Sequence, residues 1–235
     1  MFLPASLGDM RMAGVIAASV LVAGCSQSVG GGAERSGPSL SVPPSTARSA
    51  PSTTSTVPAQ PPEAGAQMGA VVSWIEAGSP ADSAGYHVAT RGGDSTQLGE
   101  DIAFTTPSGK TDCMTDSKSS EGALACLVDL VNPPPRPADA YGEWKGGWVD
   151  FDGMNAAVGS VHGDPGRFTA GTGAELPYGQ SLAFGDYRCR SDPKGLFCVN
   201  YAHQSAVRLS DAGVEPFGCL KPASVPPQIG EMFSC

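Results

Sequence analysis

Histidine, aromatic residues, positive charge and long apolar runs are all scarce in this chain, and each shortage argues against a class of protein. Three histidines stand in 235 residues, and neither an H-E-x-x-H pair nor a G-x-S-x-G elbow nor a phosphate-cradling glycine loop is present. No two cysteines are spaced Cys-x-x-Cys, so the common zinc and redox patterns are missing. No apolar run approaches the roughly 20 residues that a membrane-crossing helix needs. Lysine plus arginine number 14 against 23 aspartate plus glutamate. The part from residue 68 onward has 11 against 20, so its net charge of 11 − 20 = −9 equals the whole-chain value of 14 − 23 = −9. That balance disfavours nucleic acid and anionic lipid surfaces; it suits solubility, or a basic protein partner. No metal, cofactor or nucleic-acid partner is expected.

What is abundant is glycine and proline, 31 and 21 residues, together with seven cysteines. The chain opens with an apolar stretch from Met12 to Ala23, about a dozen residues preceded by Arg11, the size of a signal-peptide core. Asp9 is out of place in such a leader, and Met10 or Met12 are alternative starts. The stretch ends Val22-Ala23-Gly24-Cys25, a lipobox, in which small residues admit signal peptidase and the Cys25 thiol takes the lipid. From Ser26 to Ala66 the chain is almost entirely Ser, Pro, Thr, Gly and Ala, too poor in large apolar side chains to offset chain entropy. About 40 residues of such coil span roughly 35 Å. The expected organisation is a lipoprotein signal peptide over 1–24, a lipidated Cys25 and disordered tether over 25–67, and one extracytoplasmic domain over 68–235.

That domain reads as mainly β, a small disulfide-stapled sandwich or barrel-like fold with a short helical lead-in. A helix is expected over Ala70 to Ala77, and a second from a Ser79 cap to about Ala89. Nine strands are expected: 102–105, 111–114, 123–130, 148–151, 156–161, 182–184, 187–190, 196–200 and 206–209. Pro107-Ser108-Gly109, Asp152-Gly153, Gly163-Asp164-Pro165-Gly166 and Asp211-Ala212-Gly213 are turn signals between them, and Asn132 to Pro137 is a proline-rich connector. Six cysteines remain after Cys25. Fifteen pairings are open, and chain order with the turn signals favours nearest neighbours: Cys113–Cys126, Cys189–Cys198 and Cys219–Cys235.

Two stretches resemble each other. Ala-Phe, then Cys-Met-Thr-Asp and Gly-Ala-Leu-Ala-Cys around Cys113 and Cys126, matches Ala-Phe, Cys-Arg-Ser-Asp and Gly-Leu-Phe-Cys around Cys189 and Cys198. Two disulfide hairpins are expected, whether or not they arose by duplication. Phe104, Pro107, Ser108, Gly109 and Cys113, followed by Cys189, Ser191, Asp192, Gly195, Leu196, Cys198 and Asn200, resemble a group of predicted lipoproteins from mycobacteria and related actinobacteria. Lys110 stands where that group usually carries Asn. The likeness covers about Phe104 to Phe217; it implies an exported, lipid-anchored protein and no particular reaction.

Candidate chemistry is sparse. Tyr141, Trp144 and Trp148 stand among glycines and form a candidate ligand platform. Asp150 and Asp152 flank Phe151, and in a strand both carboxylates would share one face, suited to a cation or glycoside hydrolysis. His162 and His203 are the pair to test for proximity. The leading expectation is a non-catalytic envelope lipoprotein that binds a protein, glycan or small ligand. The alternatives are an extracytoplasmic hydrolase using the histidines and acidic partners, and an inhibitor of a basic secreted enzyme.

Overall fold

A computed structural model describes residues 60–162 and 166–235. The leader, Cys25 and the tether up to residue 59 lie outside the described residues, as do Gly163, Asp164 and Pro165 of one expected turn. In chain order the elements are α1 (Met68–Glu76), β1 (Ser79–Pro80), a 3-10 turn (Ser83–Tyr86), β2 (Val88–Arg91), β3 (Asp94–Gln97), β4 (Ala103–Thr105), β5 (Thr111–Thr115), β6 (Leu124–Val128), β7 (Trp144–Phe151) and β8 (Asn155–Val161). A second 3-10 segment (Gly166–Ala170) follows, then β9 (Thr172–Glu175), β10 (Gln180–Phe184), β11 (Tyr187–Asp192), β12 (Gly195–Asn200), β13 (Ser205–Ser210), β14 (Gly213–Gly218), β15 (Lys221–Pro222) and β16 (Glu231–Ser234).

The strands form two sheets. One runs β1-β10-β11-β12-β13-β14; the other runs β15-β16-β8-β7-β6-β5-β4-β9-β2-β3. Inward side chains of both sheets share one core cluster, including Phe104, Leu124, Val149 and Phe151 from the larger sheet and Leu182, Leu196, Val207 and Leu209 from the smaller. The domain is therefore a sandwich of open sheets. Helix α1 covers the outer face of the smaller sheet, where Val71, Trp74 and Ile75 pack on Phe197, Val199, Ala206 and Phe217. Strand β12 is thus buried on both faces, which is why Leu196 to Val199 is an unbroken apolar run rather than an alternation. Proline stands in three strands at sheet margins, as Pro80 in β1, Pro216 in β14 and Pro222 in β15, where a missing donor costs the ladder little.

All nine expected strands form, and the three expected disulfides do too: Cys113–Cys126, Cys189–Cys198 and Cys219–Cys235. The first two join directly opposed residues, with Cα atoms 4.1 and 4.0 Å apart, close to the spacing of non-hydrogen-bonded pairs in an antiparallel ladder. Each sheet contributes one such bridge to the shared core.

The likeness between the two stretches extends to a five-stranded meander in each sheet. Across β4 to β8 the opposed residues are Phe104, Cys113, Cys126, Val149 and Val158. Across β10 to β14 they are Leu182, Cys189, Cys198, Val207 and Pro216. Asp116 and Asp192, each three residues beyond the first cysteine of its copy, play the same part: the carboxylate accepts backbone N–H groups of the turn that follows, at 2.9–3.0 Å. The shared Ala-Phe is not equivalent, however. Phe104 faces Cys113, whereas Phe184 faces Tyr187, two residues along from the matching Leu182. The meanders also exchange strands. β1, which precedes the first meander, runs parallel to β10 of the second, and β9, which precedes the second, runs parallel to β4 of the first.

Two expectations need correction near the start of the domain. Ser79 does not cap a second helix, because its N–H donates to Gly179 O and the Ala81 N–H to Ser181 O, drawing the segment into the sheet. Asp82 caps a single 3-10 turn instead, and the chain returns to strand at Val88, among residues whose neighbours offer β pairing. The packed chain also begins ahead of Met68: Glu63 pairs with Lys194 at 2.9 Å and Ala66 packs beside α1.

Candidate binding sites

Strand β7 decides the fate of most residues singled out from sequence. Gly147 lets it cross β6 closely: a Cβ there would lie 2.0 Å from Val128 O. The pairing with β8 shifts register between Lys145 and Val149, an irregularity that falls at Gly146 and Gly147. The tryptophans of the candidate platform are not presented to solvent there. Trp148 is fully buried on the outer face of the larger sheet, edge-on to Phe168 and covered by the His162 ring at a centroid distance of 3.6 Å. Trp144 is half-buried and lies over Gly159, where a Cβ would come within 2.8 Å of its ring. Tyr141 alone is open, at 88% exposure. The three aromatics therefore do not make a common platform.

Asp150 and Asp152 separate as well. The strand ends at Phe151, so Asp152 sits in the turn, where its carboxylate accepts the N–H groups of Met154 and Asn155. Asp150 faces outward beside Trp148 and is already occupied. It accepts from Trp148 Nε1 at 2.9 Å, pairs with Arg167 Nη1 at 3.0 Å and lies 3.7 Å from His162 Nε2. Asp150 and Arg167 form one wall of an open groove of about 570 Å³ that includes Ser119, Asp152, Asn155 and Met232. Asp150 is thus a neutralised structural anion rather than one of a pair of acids.

His162 and His203 are not in contact. His203 belongs to the turn between β12 and β13, where its N–H and its Nδ1 both meet Asn200 Oδ1 at 3.1 Å and its ring lies against Gly153. His162 is held by Trp148 and Asp150, and its N–H donates to Glu143 O. Among the described residues, neither has a serine hydroxyl or thiol in these contacts. Among the described residues no group of three or more histidine, cysteine or acidic side chains is placed to hold a metal ion, and no helix is long and apolar enough to cross a membrane.

The two meanders instead create a concavity at each end of the sandwich, which no single residue pattern announced. At one end the β4–β5 turn meets the β11–β12 and β13–β14 turns. Thr106, Ser108, Lys110, Tyr178, Asp192, Lys194 and Asp211 surround a pocket of about 120 Å³, with the core residues Leu196 and Leu209 buried behind it. Lys110 Nζ pairs with Asp211 Oδ2 at 2.6 Å and ties one sheet to the other. Its partner drives Lys110 up from the usual lysine value and holds the Asp211 carboxyl below the usual carboxylate range, through the hydrogen bond first and the charge second. At the opposite end the β10–β11 turn meets the β5–β6 turn around a groove of about 360 Å³ lined by Glu100, Asp101, Glu121 and Asp186. The two sites are counterparts under the repeat, one charge-balanced and one acidic. The residues of the family-like pattern, Pro107-Ser108-Gly109 and Asp192 to Gly195, meet at the first.

Compared with protein-family models, curated proteins and solved structures, the chain matches none.

Proposed function

We propose that the protein is a lipid-anchored lipoprotein on the outer face of the cytoplasmic membrane, whose folded domain is a non-catalytic binding module of the cell envelope. The observation that carries this reading is the arithmetic of the cysteines. Six close three bridges among themselves, and the one left over is Cys25, at the end of Val22-Ala23-Gly24. Three disulfides favour an oxidising compartment, and a leftover cysteine behind an apolar leader is the acceptor that lipidation requires. The Ser/Pro/Thr-rich segment then serves as a spacer. The binding part rests on the two turn-lined concavities at the ends of a rigid sandwich, the usual placing of recognition loops on such scaffolds.

The test is expression of the full chain and of Cys25→Ala in an actinobacterial host, followed by detergent phase partition and mass spectrometry of the amino-terminal peptide. The unaltered chain enters the detergent phase with diacylglycerol on Cys25, and Cys25→Ala is found in the aqueous phase. Equal partition of the two would end the lipoprotein reading.

A further inference from the structure

We propose that the 120 Å³ pocket between the β4–β5 and β11–β12 turns binds one neutral pyranose ring, the terminal sugar of an envelope glycan. This deepens the binding-module reading by giving the site a ligand class.

Size comes first. One water needs about 10–15 Å³ of such space, so the pocket holds on the order of ten non-hydrogen atoms, the scale of a single hexose and too little for a peptide segment or a lipid chain. Charge comes next. Lys110 and Lys194 are balanced by Asp192 and Asp211 within the same lining. Both amines are already engaged, Lys110 by Asp211 and Lys194 by Glu63, so the pocket offers no uncompensated cation to an anionic ligand. Asp192 spends one oxygen, Oδ1, on the Lys194 N–H at 2.9 Å. A carboxylate has about four lone-pair positions, so acceptor capacity remains at the pocket.

The polar lining otherwise consists of hydroxyls, those of Thr106, Ser108, Thr111, Ser210 and Tyr178, which both donate and accept. Thr106 is buried, and its Oγ1 lies 3.0 Å from Ser108 Oγ, so these groups are held in place before any ligand arrives. Against them stand apolar surfaces, the half-exposed ring of Tyr178 and Pro193, while Leu196 and Leu209 form the buried floor behind them. A pyranose has the matching two-sided chemistry: a rim of hydroxyls that pair with carboxylates and hydroxyls, and C–H faces that lie against an aromatic ring or a proline. The counterpart groove at the other end carries Glu100, Asp101, Glu121 and Asp186 with no lysine, and lacks that balance.

A ligand of about a dozen atoms binds with a Kd on the order of 1 mM. The experiment is saturation-transfer difference NMR on the detergent-solubilised full chain with the methyl pyranosides of glucose, mannose and galactose, each alone. Ring protons of at least one sugar should receive saturation. The signal should fall at least about tenfold in Tyr178→Ala and in Asp192→Asn, the latter keeping the turn's acceptor oxygen, and remain unchanged in Glu121→Gln at the opposite groove. Far-UV circular dichroism verifies the fold of each variant; if Tyr178→Ala unfolds, Asp192→Asn decides. Absence of transfer to all three sugars, or a signal undiminished in the folded variants, overturns the proposal. The measurement does not depend on anchoring, so a negative result leaves the lipid-anchor reading to its own test.

Discussion

Asp211 shows how one exposed residue couples the two sheets. It lies in the β13–β14 turn, and Lys110 reaches it from the β4–β5 turn of the other sheet. The hydrogen bond and the charge of Lys110 favour the ionised carboxyl, so its folded-state value is below that in the unfolded chain. The sign follows: the pair's contribution is present above the ordinary carboxylate value near 4 and is lost as pH falls through the depressed folded value. In a pH titration of side-chain carboxyl carbons by NMR, the Asp211 midpoint should lie below the ordinary carboxylate value near 4. It should move up toward that value in Lys110→Ala, and in the same direction at high salt. A midpoint indifferent to Lys110→Ala would show that the pair does not persist in solution. At this scale Asp150 was misplaced by sequence reasoning for a plain reason. Alternation along a strand says which face a side chain takes, but not that Arg167, 17 positions away, will come to occupy its carboxylate.

The disulfides act at the scale of elements, and their burial ranks them. Cys113, Cys126, Cys189 and Cys198 are at most 1% exposed, facing the shared core between the sheets. Cys219 and Cys235 are exposed, and their bridge joins the end of the chain to the segment after β14. An attacking thiolate must reach a sulfur, so mild reduction followed by alkylation should label Cys219 and Cys235 first, while circular dichroism still reports a folded domain. Simultaneous labelling of all six cysteines would mean that burial does not protect the inner pairs. Opening the outer bridge frees a 16-residue separation, worth about 3 kcal/mol in the chain-entropy model. Element positions were legible wherever the signal is local. The nine expected strands were bounded by turns and enriched in apolar or β-branched residues. Of the strands that were missed, β1, β3, β9 and β15 are short and polar or proline-bearing, and exist because a neighbouring strand supplies their partners.

The exchange of lead strands governs the whole molecule. Because β1 completes the second meander and β9 the first, neither sheet keeps its parallel neighbour when the other half opens. Unfolding should therefore be a single transition. Two variants test this, each retaining one buried reporter: Trp144→Phe with Trp148→Phe keeps Trp74 on the sheet-facing side of α1, and Trp74→Phe with Trp144→Phe keeps Trp148 behind the larger sheet. Within each variant the fluorescence and far-UV circular dichroism midpoints in urea should coincide. A fluorescence midpoint clearly ahead of the dichroism in either one would mean that the layers melt separately.

Composition and spacing alone determined the fold class, most of the strands and the cysteine pairs, because turn residues, apolar runs and the nearest available thiol are local properties that survive in a linear string. Tertiary structure alone decided that Trp148 is core, that the two histidines lie apart, and that the turns of two similar meanders face each other across the ends of a sandwich. Those outcomes depend on contacts between residues up to about a hundred positions apart, such as Lys110 with Asp211, a separation of 101. Register, strand exchange and competition for partners settle such contacts, and none of the three is written in any one stretch of the chain.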